Sequence, residues 1–527
     1  MNPSYVFDLD GTLVDSMSHF GAAMTGILDD AGISYGEDLV KTVTPLGYRK
    51  TAEYYVNTLG IKDSVDGIVA EIERRLYTAY SEKINLKPGI EKILRTLKEH
   101  GARLFVLTAS PHLVTDACLK ANGVFDWFEE VWSVEDFALT KSDTRIFRAV
   151  AKQLGCPMHE VRYFDDNVIA VTNARAAGFY VFGIKDLQSA EELATVKANA
   201  HIFVENFTTI PEDILMETKK IIPTAEDIAR VKGLGFLRDK TTEDCFNARV
   251  ITRNGKVSAA NLDTVAEAAR LFGSGEVALT SRMSFEVQRI PYVNIEPFCA
   301  YLAEHGMETG GTGPKVRPVV SCKGTTCQYG LIDTFSLAGK IHDRFYKGYH
   351  SVKLPHKFKI GVGGCPNNCV KPDINDLGII GQRIPAVDPC KCHSCKICKI
   401  EQVCSIKLAR IVDGKIYIDP DRCNHCGRCV GKCPFGAVEA QTTGYRVTVG
   451  GRWGKQVARG RALDHICTSE DEVLNLVEKC ILLFRDKGEA GERFADTIER
   501  LGFEKVQALL ASDALLLRKD EILADKE

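Results

Sequence analysis

Residues 4–16 read SYVFDLDGTLVDS, and this stretch decides the first fold of the chain. Tyr5, Val6 and Phe7 form a short apolar run that delivers Asp8 and Asp10 at its end, with Gly11-Thr12 following at once. An apolar run bounded by a turn reads as a buried strand, and open α/β sheets place their chemistry at the carboxyl ends of such strands. Working outward, Arg103 to Leu107 is a second apolar strand, ending on Thr108-Ala109-Ser110. Lys141 opens a helical pattern (KSDTRIFRAVAKQLG), and Val161 to Phe164 is a third strand, ending on Asp165-Asp166. A helix closing at Gly178 follows. Strands alternating with helices predict an α/β doubly wound parallel sheet.

Over residues 1–212 this arrangement resembles the haloacid dehalogenase superfamily, with DLDGTLVDS (Asp8 to Ser16) as its specific part. The resemblance implies Asp8 as nucleophile and Asp10 as the acid that protonates the leaving alcohol. It implies that the Thr108 hydroxyl and the Lys141 ammonium hold phosphoryl oxygens. It also implies Mg²⁺ between Asp8, the Asp10 carbonyl and the Asp165/Asp166 pair. A carboxylate attacks an anionic phosphate only where a divalent cation and a lysine screen the repulsion. The Asp10 position points to a phosphatase acting on a phosphorylated small molecule, rather than to a dehalogenase. Residues 16–85 are helical in pattern and match the helical cap that the superfamily inserts after its first motif. The further acid that the superfamily places four residues past the second Asp is Ala170 here.

Thirteen of the nineteen cysteines lie between Cys322 and Cys433. They run Cys322-x4-Cys327, then Cys365-x3-Cys369, then Cys390, then Cys392-x2-Cys395-x2-Cys398-x5-Cys404, and last Cys423-x2-Cys426-x2-Cys429-x3-Cys433-Pro434. Iron–sulfur clusters use such spacings and disulfides do not. Twelve thiolates would hold three 4Fe–4S clusters, with Cys390 to spare. The last run is that of bacterial two-cluster ferredoxins, whose fourth cysteine ligates the other cluster. By that crossing rule Cys392, Cys395, Cys398 and Cys433 bind one cluster, and Cys423, Cys426, Cys429 and Cys404 the other. Zinc ribbons use two CxxC pairs rather than two triple runs. Apolar strand sequence (INDLGIIGQ) precedes this region and GYRVTVGGRWG follows it, so residues 386–440 read as a ferredoxin-type insert.

Residues 205–230 are polar, carry two prolines and precede a new pattern. The domain division expected is 1–212, a linker 213–232, an α+β module 233–385, the insert 386–440, and a remainder 441–527. From Phe246 the chain reads as strand (FNARVITRNGKVSA), helix (NLDTVAEAARLFG), strand (EVALTSRMSFEVQRI) and helix (NIEPFCAYLAEHG). Residues 468–518 are helical by periodicity, with Cys467 and Cys480 read as buried cysteines. The motifs Thr280-Ser281-Arg282, Arg317, Lys357-Phe358-Lys359, Gly363-Gly364-Cys365-Pro366-Asn367-Asn368-Cys369 and Gly450-Gly451-Arg452 make this module similar to the sulfite and nitrite reductases that bridge siroheme to a 4Fe–4S cluster. The resemblance implies that Cys322, Cys327, Cys365 and Cys369 hold that cluster, with Cys369 bridging to the siroheme iron. It places Arg282, Arg289 and Arg452 on the siroheme carboxylates, and Arg317, Lys357 and Lys359 on the anionic substrate. A further arginine of these reductases aligns with Ile251, two residues from Arg249. The two cysteine pairs alone would also suit a four-cysteine zinc site.

The chain of 527 residues is too long for one core, and three or four domains are expected. A net charge of −3 excludes a bulk attraction to nucleic acid or anionic membrane. The first residues carry no secretory pattern and no apolar stretch is long enough to span a bilayer, so a cytoplasmic, anaerobic setting with reduced thiols is expected. The function expected is a sulfite (or nitrite) reductase fed by a ferredoxin or a reductase subunit through the insert's clusters, fused to a Mg²⁺-dependent phosphatase. The alternatives are an iron–sulfur electron-transfer protein without siroheme, or a redox sensor attached to a working phosphatase.

Overall fold

The computed structural model describes residues 3–36, 38–43, 46–216 and 221–524. Six strands build the first sheet: β1 (Ser4–Phe7), β2 (Arg103–Thr108), β3 (Glu130–Ser133), β4 (Val161–Asp165), β5 (Tyr180–Ile184) and β6 (Ile202–Val204). They lie in the order β3-β2-β1-β4-β5-β6, and every pairing is parallel. Strand order reverses between β1 and β4, and the crevice outside such a switch point is where ligands bind. Helices Met17–Asp30, Leu39–Val43, Gly47–Asn57 and Val65–Glu82 stand between β1 and β2 in the chain. The last starts on Ser64, whose hydroxyl accepts from Gly67 N–H, and buries Ile68, Ile72, Leu76, Ala79 and Tyr80 as one stripe.

The second sheet holds β7 (Phe236–Arg238), β8 (Cys245–Val250), β9 (Val277–Leu279) and β10 (Phe285–Pro291), antiparallel in the order β7-β8-β10-β9. The single strand expected over EVALTSRMSFEVQRI is therefore a hairpin. Thr280 breaks it: its hydroxyl accepts from the N–H groups of Arg282 and Ser284, and Met283 turns to a φ of 58°. Lys141 likewise lies in a turn, with the helix beginning only at Arg145. The two sheets share one apolar core. Val6, Phe105, Tyr163 and Val181 of the first belong to the same cluster as Phe236 and Phe246 of the second and Phe272 and Phe298 of the helices that cover it.

The third sheet is β11 (Val320–Ser321), β12 (Ile360–Gly363), β13 (Leu377–Val387), β16 (Val438–Val449) and β17 (Arg461–Cys467), in that order. β13 and β16 form a long antiparallel pair, from Leu377↔Val449 out to Val387↔Val438. The cysteine-rich insert hangs from its far end and contains a hairpin of β14 (Ala409–Val412) and β15 (Lys415–Ile418). A small core of Ile400, Ile416, Val430 and Ala437 holds the insert together. The helical tail is broken into Glu470–Lys487, Phe494–Leu501, Phe503–Ala511, Ala514–Leu517 and Lys519–Leu523. Cys467 and Cys480 are both buried against it. Among the described residues, no helix is long and apolar enough to cross a membrane.

Candidate functional site

At the switch point of the first sheet, carboxylate oxygens of Asp8, Asp165 and Asp166 lie within 4.8 Å of one another. Asp8 N–H donates to Phe164 O at 2.8 Å, which fixes the end of β1 against β4. Lys141 Nζ bonds Asp8 Oδ1 at 2.5 Å and Asp165 Oδ2 at 2.8 Å. Burial, against the pull of Lys141 and reinforced by Asp165 and Asp10, raises the Asp8 carboxyl to about 8. Burial, then Asp165 and Asp8, also hold Asp166 well above the carboxylate range. One ammonium among two buried carboxylates and the half-buried Asp166 leaves a negative excess when they are ionised, and a divalent cation is the group that fits it. Gly11, at a φ of 76°, admits this approach, because a Cβ there would meet Asp166 Oδ2 at 2.6 Å.

Asp10 sits beside this group with three hydroxyls donating to it: Ser16 at 2.6 Å, Tyr80 at 2.5 Å and Ser110 at 2.6 Å. Thr108 is buried and accepts from Ser110 N–H at 3.1 Å. Tyr80 comes from the Val65–Glu82 helix, so the segment between β1 and β2 folds back onto the first motif. No local pattern marks Tyr80, and the sequence reading missed it. Ala170 faces the core, 1% exposed, where an acid would have no partner. A further carboxylate near Asp166 comes instead from Asp186, just past β5, paired with Lys87 at 2.6 Å.

The reductase-like half gathers its cysteines into two groups that the structure makes visible. Burial, then Cys322, Cys327 and Cys369, raise the Cys365 thiol above its usual range. The two loops meet at glycines, since a Cβ on Gly324 would lie 2.8 Å from Gly364 Cα. Gly364 N–H donates to Cys322 Sγ at 3.1 Å. In the insert, burial pushes Cys429 up to about 11, and Cys423, Cys426 and Cys404 add to it. Backbone N–H groups of Ile416, Leu408 and His425 point at the sulfurs of Cys392, Cys404 and Cys423 at 3.3, 3.3 and 3.4 Å. Thiols crowded together, with N–H donors aimed at the sulfur, fit iron–sulfur ligation. Cys392, Cys398 and Cys433 border the same small core, while Cys395 and Cys390 are exposed.

Cations converge next to the first of these groups. Arg282, on the turn between β9 and β10, donates to Asn375 Oδ1 at 2.8 Å and Pro318 O at 2.6 Å. Burial and neighbouring Arg317 lower it to about 10. Arg317 donates to Gly311 O and is lowered to about 10 by burial and Arg249. Lys357 and Lys359 flank Phe358, which is buried, so both lysines share the opposite face. Burial, then Arg282, Arg493 and Lys357, bring Lys359 down to about 8. Arg249, on β8 and 3.3 Å from Glu286, supplies the cation there, whereas Ile251 is buried. Arg493 was not marked by sequence at all. It grips fully buried Asp376 through both oxygens at 2.9 Å, and Asp376 also accepts from Lys359 N–H at 2.9 Å.

One of the expected arginines stands elsewhere. Arg289 lies where β10 shifts register between Val287 and Ile290, at a φ of 53°, and the bulge turns it half into solvent near Glu276 at 3.8 Å. Arg452 pairs with Asp496. The Nε atoms of Arg317, Arg383, Arg446, Arg452 and Arg493 are buried without an acceptor among the described residues. All five belong to the third sheet or loops against it. A buried guanidinium N–H left unpaired is unfavourable, so a ligand rich in carboxylates fits this wall.

Residues 312–515 match the nitrite and sulphite reductase 4Fe-4S domain, residues 238–305 the nitrite/sulfite reductase ferredoxin-like half domain, and residues 5–184 a haloacid dehalogenase-like hydrolase. The chain therefore joins a haloacid dehalogenase-like phosphatase domain to a sulfite/nitrite reductase-type oxidoreductase module, and it belongs to the nitrite and sulfite reductase family. Among relatives, the coenzyme F420-dependent sulfite reductase of Methanocaldococcus jannaschii is 34% identical over 44% of this chain. The chain spans only 37% of that relative's length. The uncharacterized protein MJ0551 of the same organism is 31% identical, over 50% of this chain and 90% of its own length. A phosphorylated carbohydrates phosphatase of Thermotoga maritima is 23% identical, over 41% of this chain and 98% of its own.

Proposed function

We propose that the chain is a bifunctional redox protein. Its C-terminal portion reduces sulfite to sulfide, or nitrite to ammonia, and its N-terminal portion hydrolyses a phosphorylated small molecule. The observation that carries the reductase reading is the set of cations Arg249, Arg282, Arg317, Lys357, Lys359 and Arg493 around one buried carboxylate, Asp376, beside the loops of Cys322 and Cys365. Such a positive excess suits a small oxyanion.

Cys322, Cys327, Cys365 and Cys369 would hold a 4Fe–4S cluster, Arg282 and Arg452 would reach siroheme carboxylates, and the insert's eight run cysteines would hold two more clusters. When bound, these groups supply an iron for the anion and a relay for its electrons. Arg317, Lys357 and Lys359 bind the anion's oxygens and orient it. Lys359, near 8, gives a proton to a departing oxygen at neutral pH and regains it from solvent. At the other centre, Asp8 attacks phosphorus while Lys141 and Thr108 hold the non-bridging oxygens. Asp10, oriented by Ser16, Tyr80 and Ser110, protonates the leaving alcohol. Mg²⁺ held by Asp8, the Asp10 carbonyl and the Asp165/Asp166 pair would screen that attack.

Sulfide or ammonia production from each anion, with reduced methyl viologen as donor, tests the reductase reading. Turnover of either anion supports it. Intact clusters that take electrons but pass them to neither anion would move the reading to an electron-transfer or sensing protein.

A further inference from the structure

The insert offers its two cysteine runs to different surroundings. The second run is seated on the reductase-like half. Arg383 N–H donates to His425 O at 2.8 Å, and Arg446 Nη2 lies 3.5 Å from His425 Nδ1. The Arg428 guanidinium lies 4.5 Å from the ring centre of Tyr329, two residues past Cys327. The first run is bare. Residues 393–397 and Lys399 are exposed, with Ile397 67% exposed. Phe435, which follows Cys433-Pro434, is 46% exposed and packs on the His393 ring at 4.3 Å.

Charge separates the insert from the rest of the molecule. Residues 386–440 carry nine Lys and Arg against six Asp and Glu, in a chain whose total charge is −3. Lys391, Lys396, Lys399 and Lys432 are exposed about the first run. The acids nearest in the chain to this rim are Glu401, half-buried and accepting from Ile411 N–H at 2.8 Å, Asp388, 3.6 Å from Lys391, and Glu439. Exposed apolar side chains ringed by one sign of charge mark a surface that meets a partner of the opposite sign.

We propose that this rim, centred on Cys395, Ile397 and Phe435 and ringed by the four lysines, docks an acidic one-electron carrier protein. Electrons then pass from the side of the first run to that of the second, and on toward the Cys322 and Cys327 loops. Each transfer oxidises the carrier by one electron and reduces the insert by one, with no bond made or broken. The inference rests on the proposed redox function. It adds the face that receives the donor, the chemistry of that donor and the direction of flow.

The test mixes cluster-loaded protein, without oxygen, with a reduced acidic [2Fe–2S] ferredoxin, and follows the bleaching of the iron–sulfur absorption. Reduced methyl viologen, which needs no docking face, is the parallel donor. The wild-type rate with ferredoxin falls roughly tenfold or more between low and high salt. K396E/K399E slows that rate by about tenfold or more, while the methyl viologen rate is unchanged. K391E/K432E does the same from the other side of the rim. A ferredoxin rate indifferent to both pairs overturns the proposal. If a pair slows methyl viologen as well, its clusters are damaged and the wild-type salt dependence decides: a flat rate overturns the docking face, a steep one supports it. Failure of methyl viologen to reduce the wild-type clusters would sink the proposed redox function instead.

Discussion

The two candidate centres of this molecule are charge opposites. The first sheet's switch point collects three carboxylates around one lysine. The reductase-like centre collects six cations around one buried carboxylate, Asp376. Each is out of balance by itself, and the ligands proposed for them, a metal cation in the first and oxyanions in the second, would offset that excess. The imbalance also shows in the protonation of single groups. Burial among acids pushes Asp8 up to about 8, and burial among cations brings Lys359 down to about 8.

The sharpest break between the two centres is Asp8→Asn. It should lower phosphomonoester hydrolysis by about a thousandfold or more, since nucleophiles act as a unit with their partners. Sulfite or nitrite reduction should be unchanged, and parallel assays on one preparation check both. A reductase rate that falls with the hydrolase rate would deny that the centres are separate. Next in size, Arg317→Ala should lower the kcat/KM of anion reduction by about 10²-fold, as the loss of one electrostatic donor does. Hydrolysis should be untouched.

Asp376→Asn sharpens the positive centre. Breaking the buried pair strands Arg493, at about 3–5 kcal/mol of folding stability, read by urea unfolding. The smallest effect is on pH. Lys359 lies below its ordinary range of 10.5 because burial and Arg282 disfavour its charge. It is charged below about 8 and neutral above, so KM for the anion should rise as pH passes through 8. Lys359→Arg keeps the charge and should remove that step in a KM profile from pH 6.5 to 9.5.

What sequence could read follows from distance along the chain. Asp8, Asp10, Thr108 and Asp165 each end an apolar strand, and parallel order brings strand ends together, so that grouping is legible in the sequence. The cysteine runs are local in the same way, and Cys404 lies near Cys423, Cys426 and Cys429. Tyr80 and Asp186 were not legible, since each reaches its site through a fold-back that no spacing records. Arg493 lies 117 residues from Asp376, and only the packing of the tail against the third sheet joins them. The hairpin at Thr280 reads as one strand in the sequence because its apolar residues outweigh a turn made by hydroxyl groups.

We propose the positive centre as the seat of siroheme and of the anion it reduces. The absorption spectrum of protein prepared without oxygen, from a host that makes siroheme, tests it most directly. Siroheme bands above a broad iron–sulfur background, perturbed when sulfite or nitrite is added, are expected. Iron–sulfur absorption alone, after reconstitution with siroheme, would contradict it.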